Sequence, residues 1–231
     1  RLSSMARGTA PSLLASLALF TLACESPPVT SMHTLPGGTG QAADGDFFAL
    51  PFPSDLCLQG GTYDLSGLPQ VAGQPGKYAR FLDRKIDGAG NSAAVYFRFA
   101  ASLDPSTLPP SGADSVLDRS SAFVVDVTPG SPTYGQRHPV LVAFHPEEGQ
   151  FIGKNWLSLR PLPGLPLREA TTYAAVITSR VRGAKGERVQ VPEDLERLLD
   201  AQQFREEPYR TAWCKYAALR DYLDNAPLSG Q

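Results

Sequence analysis

Between residues 94 and 178 apolar side chains recur at every second position in five separate segments, and that period restricts the fold more than any other feature. "AVYFRFA" (94–100) sets Val95, Phe97 and Phe99 on one side, and "AFVVDV" (122–127) does the same with Phe123, Val125 and Val127. "PVLVAF" (139–144) offers Val140, Val142 and Phe144, "WLSLRPL" (156–162) offers Leu157 and Leu159, and "TYAAVIT" (172–178) offers Tyr173, Ala175 and Ile177. Successive side chains of a strand point to opposite faces, so each segment reads as a strand with one buried face. Turns rich in Pro and Gly separate them, and no long helical pattern intervenes, which argues for antiparallel pairing. The expectation is a mainly β chain whose centre, residues 94–190, is an antiparallel β-sandwich. Phe97, Val125, Val142, Leu159 and Tyr173 are expected to point inward, one from each strand. Arg98, Asp126 and Ser158 are expected outward or at a sheet edge.

The flanks follow other rules. Residues 45–93 are loop-rich: Pro51, Pro53, Gly60, Gly61 and Pro69 interrupt the apolar residues Phe47, Phe48, Leu50, Phe52, Leu56 and Leu58. Those side chains need cover, so the segment is expected to lie irregularly against the sandwich. Within it "KYARFLDRKID" (77–87) reads as a short helix with Tyr78, Phe81 and Leu82 on one face. Beyond residue 190 the period becomes helical. Pro192 precedes Glu193 and Asp194 in a first turn, and Leu195, Leu198 and Leu199 form an i, i+3, i+4 stripe. Tyr209, Ala212, Trp213, Tyr216, Ala217, Arg220 and Leu223 continue that spacing. Residues 191–231 are therefore expected as a helical appendage, or as the start of a connection to a further domain.

The front of the chain carries a targeting pattern. Met5 reads as the coding start, with residues 1–4 as translated upstream sequence, and Arg7 precedes the apolar run "PSLLASLALFTLA" (11–23). That run has the length of a signal-peptide core and is too short to span a bilayer as a helix. No acidic residue precedes Glu25, and Ala23 stands directly before Cys24. Residues 1–23 resemble a bacterial lipoprotein signal, which implies lipidation at Cys24; the alternative is an ordinary secretory signal with a chance cysteine. The next stretch, rich in Pro, Gly, Ser and Thr, makes residues 24–44 a lipidated flexible stalk in this reading. The implied location is an exported, membrane-anchored one, at the outer membrane or cell surface, with the membrane as a partner through the N-terminal lipid.

Composition excludes some classes. The formal net charge is −2, from 21 basic and 23 acidic residues, and no basic run is interleaved with aromatics, so nucleic acid is not an expected partner. After Cys24, the cysteines Cys57 and Cys214 remain; in an oxidising compartment they either pair as a disulfide or stay as two buried free thiols. His33 falls in the stalk, and His138 and His145 have opposite strand parity, so no shared metal is expected. "DGD" (44–46) and "GAG" (88–90) read as turns, and the basic-rich "RVRGAKGER" (180–188) as a solvated hairpin tip. No metal site and no cofactor is implied. G-x-S-x-G is absent, so no residue is assigned as a catalytic serine.

Two longer motifs carry a further resemblance. The strand "AVYFRFAASLDPSTL" and the later "NWLSLRPLPGLPLREATTYAAVIT" resemble a bacterial Ig-like domain, with Asn155, Leu157, Leu159, Leu167, Thr171 and Tyr173 at matching positions. In such a domain the Tyr173 hydroxyl closes a corner hydrogen bond. The order of leader, stalk, "LPFPSDL", Ig-like domain and helical segment is similar to the N-terminal region of bacterial extracellular, virulence-factor-type lipases. The resemblance implies a surface-tethered lipoprotein whose Ig-like β-sandwich is a non-catalytic accessory or spacer module, truncated before an α/β-hydrolase domain. The alternative is a stand-alone cell-envelope binding or adhesion module that uses sandwich-end loops such as 101–120 or 128–138.

Overall fold

All five alternating segments form strands. The computed structural model describes residues 29–36, 46–69, 73–149 and 152–225. A short strand β1 (Val29–Thr30) leads, followed by the hairpin β2 (Leu58–Gln59) and β3 (Thr62–Tyr63) and by helix α1 (Gln74–Leu82). Then come β4 (Val95–Arg98), the single turn α2 (Gly112–Ser115), β5 (Ala122–Asp126), β6 (Arg137–His138), β7 (Val140–His145), β8 (Trp156–Pro161), β9 (Tyr173–Ile177) and β10 (Val189–Gln190). Helices α3 (Glu193–Leu199), α4 (Tyr209–Lys215) and α5 (Ala217–Asn225) close the described chain.

The larger sheets are antiparallel and three-stranded, ordered β4-β8-β7 and β6-β5-β9. Val95 opposes Leu159 and Val142 opposes Leu159 from the other side, while Val124 faces Ala175 across β5 and β9. Both sheets feed one apolar cluster. Phe99, Val140, Leu157 and Leu159 enter from the first sheet and Ala122 and Val124 from the second, with Phe97, Val142, Phe144, Tyr173, Ala175 and Ile177 packed around them. Four of the five residues expected inward thus belong to this shared interior.

Val125 does not. Every residue of β5 is buried, so period two alone could not say which face meets the other sheet. Ala122 and Val124 take that position, while Phe123, Val125 and Val127 pack beneath α5 with Tyr222, Ala218, Leu219 and Leu223. Asp126, expected outward, is 1% exposed. Its carboxylate accepts from the Thr128 N–H at 2.8 Å and from the Ser131 and Thr133 hydroxyls, each at 2.7 Å. Burial pushes this carboxyl up, but those donors outweigh it and hold it below the usual carboxylate range. Arg98 is half-buried and pairs with Asp46 at 3.0 Å.

Two expectations about the flanks are corrected. Residues 191–225 do not stand apart from the sheets, because α5 packs on the outer face of β5 and β9. Residues 29–36 are not a flexible stalk: Val29 is 1% exposed and β1 runs parallel to β10, with the Val29 N–H on the Arg188 carbonyl at 3.1 Å. The Met32 N–H donates to the Arg98 carbonyl and the Ala100 N–H to that of Thr30, which ties the segment to the end of β4. Gly183 permits this approach, since a Cβ there would lie 2.6 Å from Val29 Cγ2. The irregular segment does pack on the sheets: Phe48 meets Trp156 edge to face, and Tyr96 flanks the same indole.

Candidate functional site

Buried His33, Asp194 and Arg220 lie where residues 29–36 and 46–58 meet the C-terminal helices. Leu35, Leu50, Leu198, Tyr209 and Ala212 form a small apolar cluster there. Inside its rim, Asp194 in the first turn of α3 accepts from the Leu35 N–H at 2.8 Å and from the Tyr209 hydroxyl at 2.6 Å. His33 Nε2 lies 2.7 Å from the Tyr216 hydroxyl. Arg220 donates to the Leu198 and Trp213 carbonyls at 2.7 and 2.8 Å, near the C-terminal ends of α3 and α4, where helix carbonyls lack partners. Its guanidinium also lies 3.5 Å above the Trp213 ring.

Burial sets the ionisation of this cluster. It lowers His33 from 6.5 to about 4, outweighing a backbone hydrogen bond and the Asp194 charge, which act the other way. The imidazole is therefore neutral near pH 7. Tyr216 is pushed upward, again by burial. Near pH 7 a neutral imidazole and a neutral phenol share this hydrogen bond.

The two cysteines lie at the margin of the same region and are free. Helix α4 sits against the turn at Asp55–Cys57, but Lys215 makes the connection, its ammonium donating to the Asp55 and Leu58 carbonyls at 2.6 and 2.7 Å. Neighbouring helical residues point about 100° apart, so turning Lys215 inward directs Cys214 elsewhere. Cys214 is exposed and its thiol faces the Arg210 carbonyl of its own helix at 3.5 Å. Burial pushes the Cys57 thiol up to about 11 against the pull of the Lys215 charge, so it stays protonated and unreactive near neutrality. Cys24, the expected lipidation site, lies outside the described residues.

The remaining candidates have ordinary roles. His138 Nε2 is 2.8 Å from the Leu165 carbonyl, and His145 is exposed at the end of β7 in the other sheet. Among the described residues no three His, Cys, Asp or Glu side chains converge as metal ligands. Asp46, the described part of "DGD", caps the turn at Phe47–Ala49. "RVRGAKGER" forms a tight turn closed by the Gly183 N–H on the Glu187 carbonyl. The Tyr173 hydroxyl accepts from the Arg168 N–H at 3.2 Å, five residues upstream. A shallow depression lined by Val127, Pro129, Gly130, Tyr134, Ala218 and Asp221 encloses ≈ 150 Å³, below the ~300 Å³ at which small-molecule pockets usually begin. No described helix is long and apolar enough to cross a membrane. No protein-family model, no curated protein and no solved structure matches the chain.

What this cluster can do is hold. His33 with Tyr216, and the Leu35 N–H with Asp194, clamp an N-terminal segment onto helices that lie more than 150 residues away in sequence, while Arg220 ties those helices to one another. Sequence reasoning missed all four as a group. His33 and Leu35 sit in a Pro/Gly/Ser/Thr-rich stretch with no periodicity, so no local signal marks them as buried.

Proposed function

We propose that this chain is a surface-tethered lipoprotein, and that its Ig-like β-sandwich is the non-catalytic front module of an extracellular lipase- or esterase-like protein. The observation that carries the reading is the docking of Val29. Only five positions separate it from Cys24, a span of at most about 18 Å when fully extended. A lipid on Cys24 would therefore hold the module against the bilayer rather than on a long leash. Two antiparallel sheets sharing one interior, together with the Tyr173 corner bond, support the Ig-like assignment. The clamp between the N-terminal segment and the helices suits a rigid spacer, since it couples the anchor point to the end of the module that would lead onward.

Two measurements test this. Intact mass of the protein extracted from membranes should show lipid on Cys24, and Cys24→Ser should release the protein or block its processing. Membrane retention identical to the parent would overturn the tether. Coding sequence beyond Gln231 should contain a G-x-S-x-G elbow; its absence would overturn the accessory role in favour of a stand-alone envelope-binding module.

A further inference from the structure

Helix α1 turns its apolar face away from the protein. Gly76 is buried and Ala79 and Asp83 are half-buried, so the side carrying positions 76, 79 and 83 rests on the body. Asp83 there accepts from the Leu65 N–H at 2.7 Å. Opposite, Tyr78 and Phe81 are 65% and 63% exposed, and Leu82 adjoins them at 37%. The other large exposed apolar residues among those described, Leu117, Tyr134, Leu165 and Val191, are single positions far apart in sequence. A contiguous aromatic face on a helix requires a different explanation from scattered ones.

The charge around this face indicates what covers it. Residues 74–87 carry Lys77, Arg80 and Lys85, and Arg84 paired with Asp64 at 2.7 Å, against Asp87 and an Asp83 turned toward the body. The Lys85 ammonium lies 4.1 Å above the Phe81 ring. Aromatic rings flanked by long cationic side chains suit the boundary between acyl chains and anionic headgroups, where rings enter the apolar layer and cations reach phosphates. The placement of α1 agrees with this. Ser31 and Phe52 bridge to Phe99 and Tyr96 along the outer edge of β4, the Phe52 ring meets Tyr63 edge to face, and the Tyr63 N–H donates to the Ile86 carbonyl just past α1. The N-terminal segment and the support of α1 thus hang from one strand edge.

We propose that α1 is a membrane-surface contact for anionic lipid headgroups, with Tyr78 and Phe81 inserted at the acyl boundary and Lys77 and Lys85 on the phosphates. The proposal rests on the tether reading for the presence of a bilayer beside that edge. Its test uses the full, unlipidated chain, so that the fate of Cys24 is decided separately by mass. Amide exchange is followed with vesicles of 3:1 phosphatidylcholine and phosphatidylglycerol, and with phosphatidylcholine alone. Exchange over residues 74–82 should slow several-fold on the anionic vesicles only. Tyr78→Ser with Phe81→Ser should abolish that slowing, and Lys77→Glu with Lys85→Glu should lower α1 affinity about fivefold or more per charge. Vesicle binding that leaves 74–82 unchanged would overturn the proposal, as would equal protection on neutral vesicles. Protection that grows with protein concentration without vesicles would assign the face to a second copy instead.

Discussion

Between the two larger sheets the interior is filled by Phe99, Leu157, Leu159, Val140 and Val124, whereas the junction of the N-terminal segment with α3–α5 buries His33, Asp194 and Arg220 beside its apolar residues. The first region is held mainly by area removed from water, a term that is nearly indifferent to pH and to the identity of any one partner. The second depends on a few groups with one correct geometry and one correct protonation state, because each buried polar atom must keep its partner or incur its full desolvation cost. One molecule therefore contains a robust part and a conditional part, and the conditional part carries the N-terminal segment.

The comparison can be broken most forcefully from the sheet side. Leu159→Ala removes a fully buried side chain opposed by both Val95 and Val142, and should cost about 3–5 kcal/mol in denaturant melts, equally at pH 7 and pH 5. A loss below about 1 kcal/mol would mean that Leu159 is not part of a packed interior.

The junction should respond to pH instead. His33 titrates at 6.5 when exposed and at about 4 when folded, so through that window the unfolded chain binds more protons than the folded one. Stability should fall as pH drops from 6.5 toward 4, by about 3 kcal/mol, while carboxylates held low, such as Asp126, add their own losses only below that range. His33→Gln should flatten the slope between pH 6.5 and 4; an unchanged slope would show that His33 is not its source.

Gly183→Ala would sharpen the boundary between the regions. The new Cβ would crowd Glu187 Oε2 and Val29 Cγ2; the Glu187 carboxylate can swing aside but the buried Val29 cannot, so β1 should loosen from β10 at a cost of about 1–3 kcal/mol. Limited proteolysis should then cut near residues 29–36 while the sheets stay protected. The smallest expected effect is at the corner: Tyr173→Phe loses one partly solvated hydrogen bond to Arg168, about 0.5–1.5 kcal/mol by thermal melt.

The sheets were legible and the junction was not, for a physical reason. A strand declares itself within six residues, since burying one face requires apolar residues at every second position. Phe97, Val142, Leu159 and Tyr173 could be assigned on that basis. Val125 could not, because β5 is covered on both faces and its period carries no information about which cover is sheet and which is helix. The helical stripe Leu195, Leu198 and Leu199 showed that α3 would bury a face but not against what. Tyr78, Phe81 and Leu82 share one face as expected, but of a helix over Gln74–Leu82 rather than 77–87, and nothing local says that this face points to solvent.

By itself, then, the sequence determined the five strands to within a residue or two and the helical periodicity beyond residue 192, because these follow from contacts between residues a few positions apart. It did not determine the break at Tyr216 that divides 208–224 into α4 and α5. Tertiary structure alone decided that residues 29–36 pack as a parallel strand and a buried segment, that Asp126 is internal, that α5 roofs a sheet, and that Cys57 and Cys214 remain separate thiols. Most of these depend on partners far along the chain, such as His33 with Tyr216 or Leu35 with Asp194, while Asp126 is satisfied by the nearby Thr128, Ser131 and Thr133. A polar or irregular segment has no period of its own. Whether it is solvated or buried is settled only when distant donors and acceptors arrive to satisfy it.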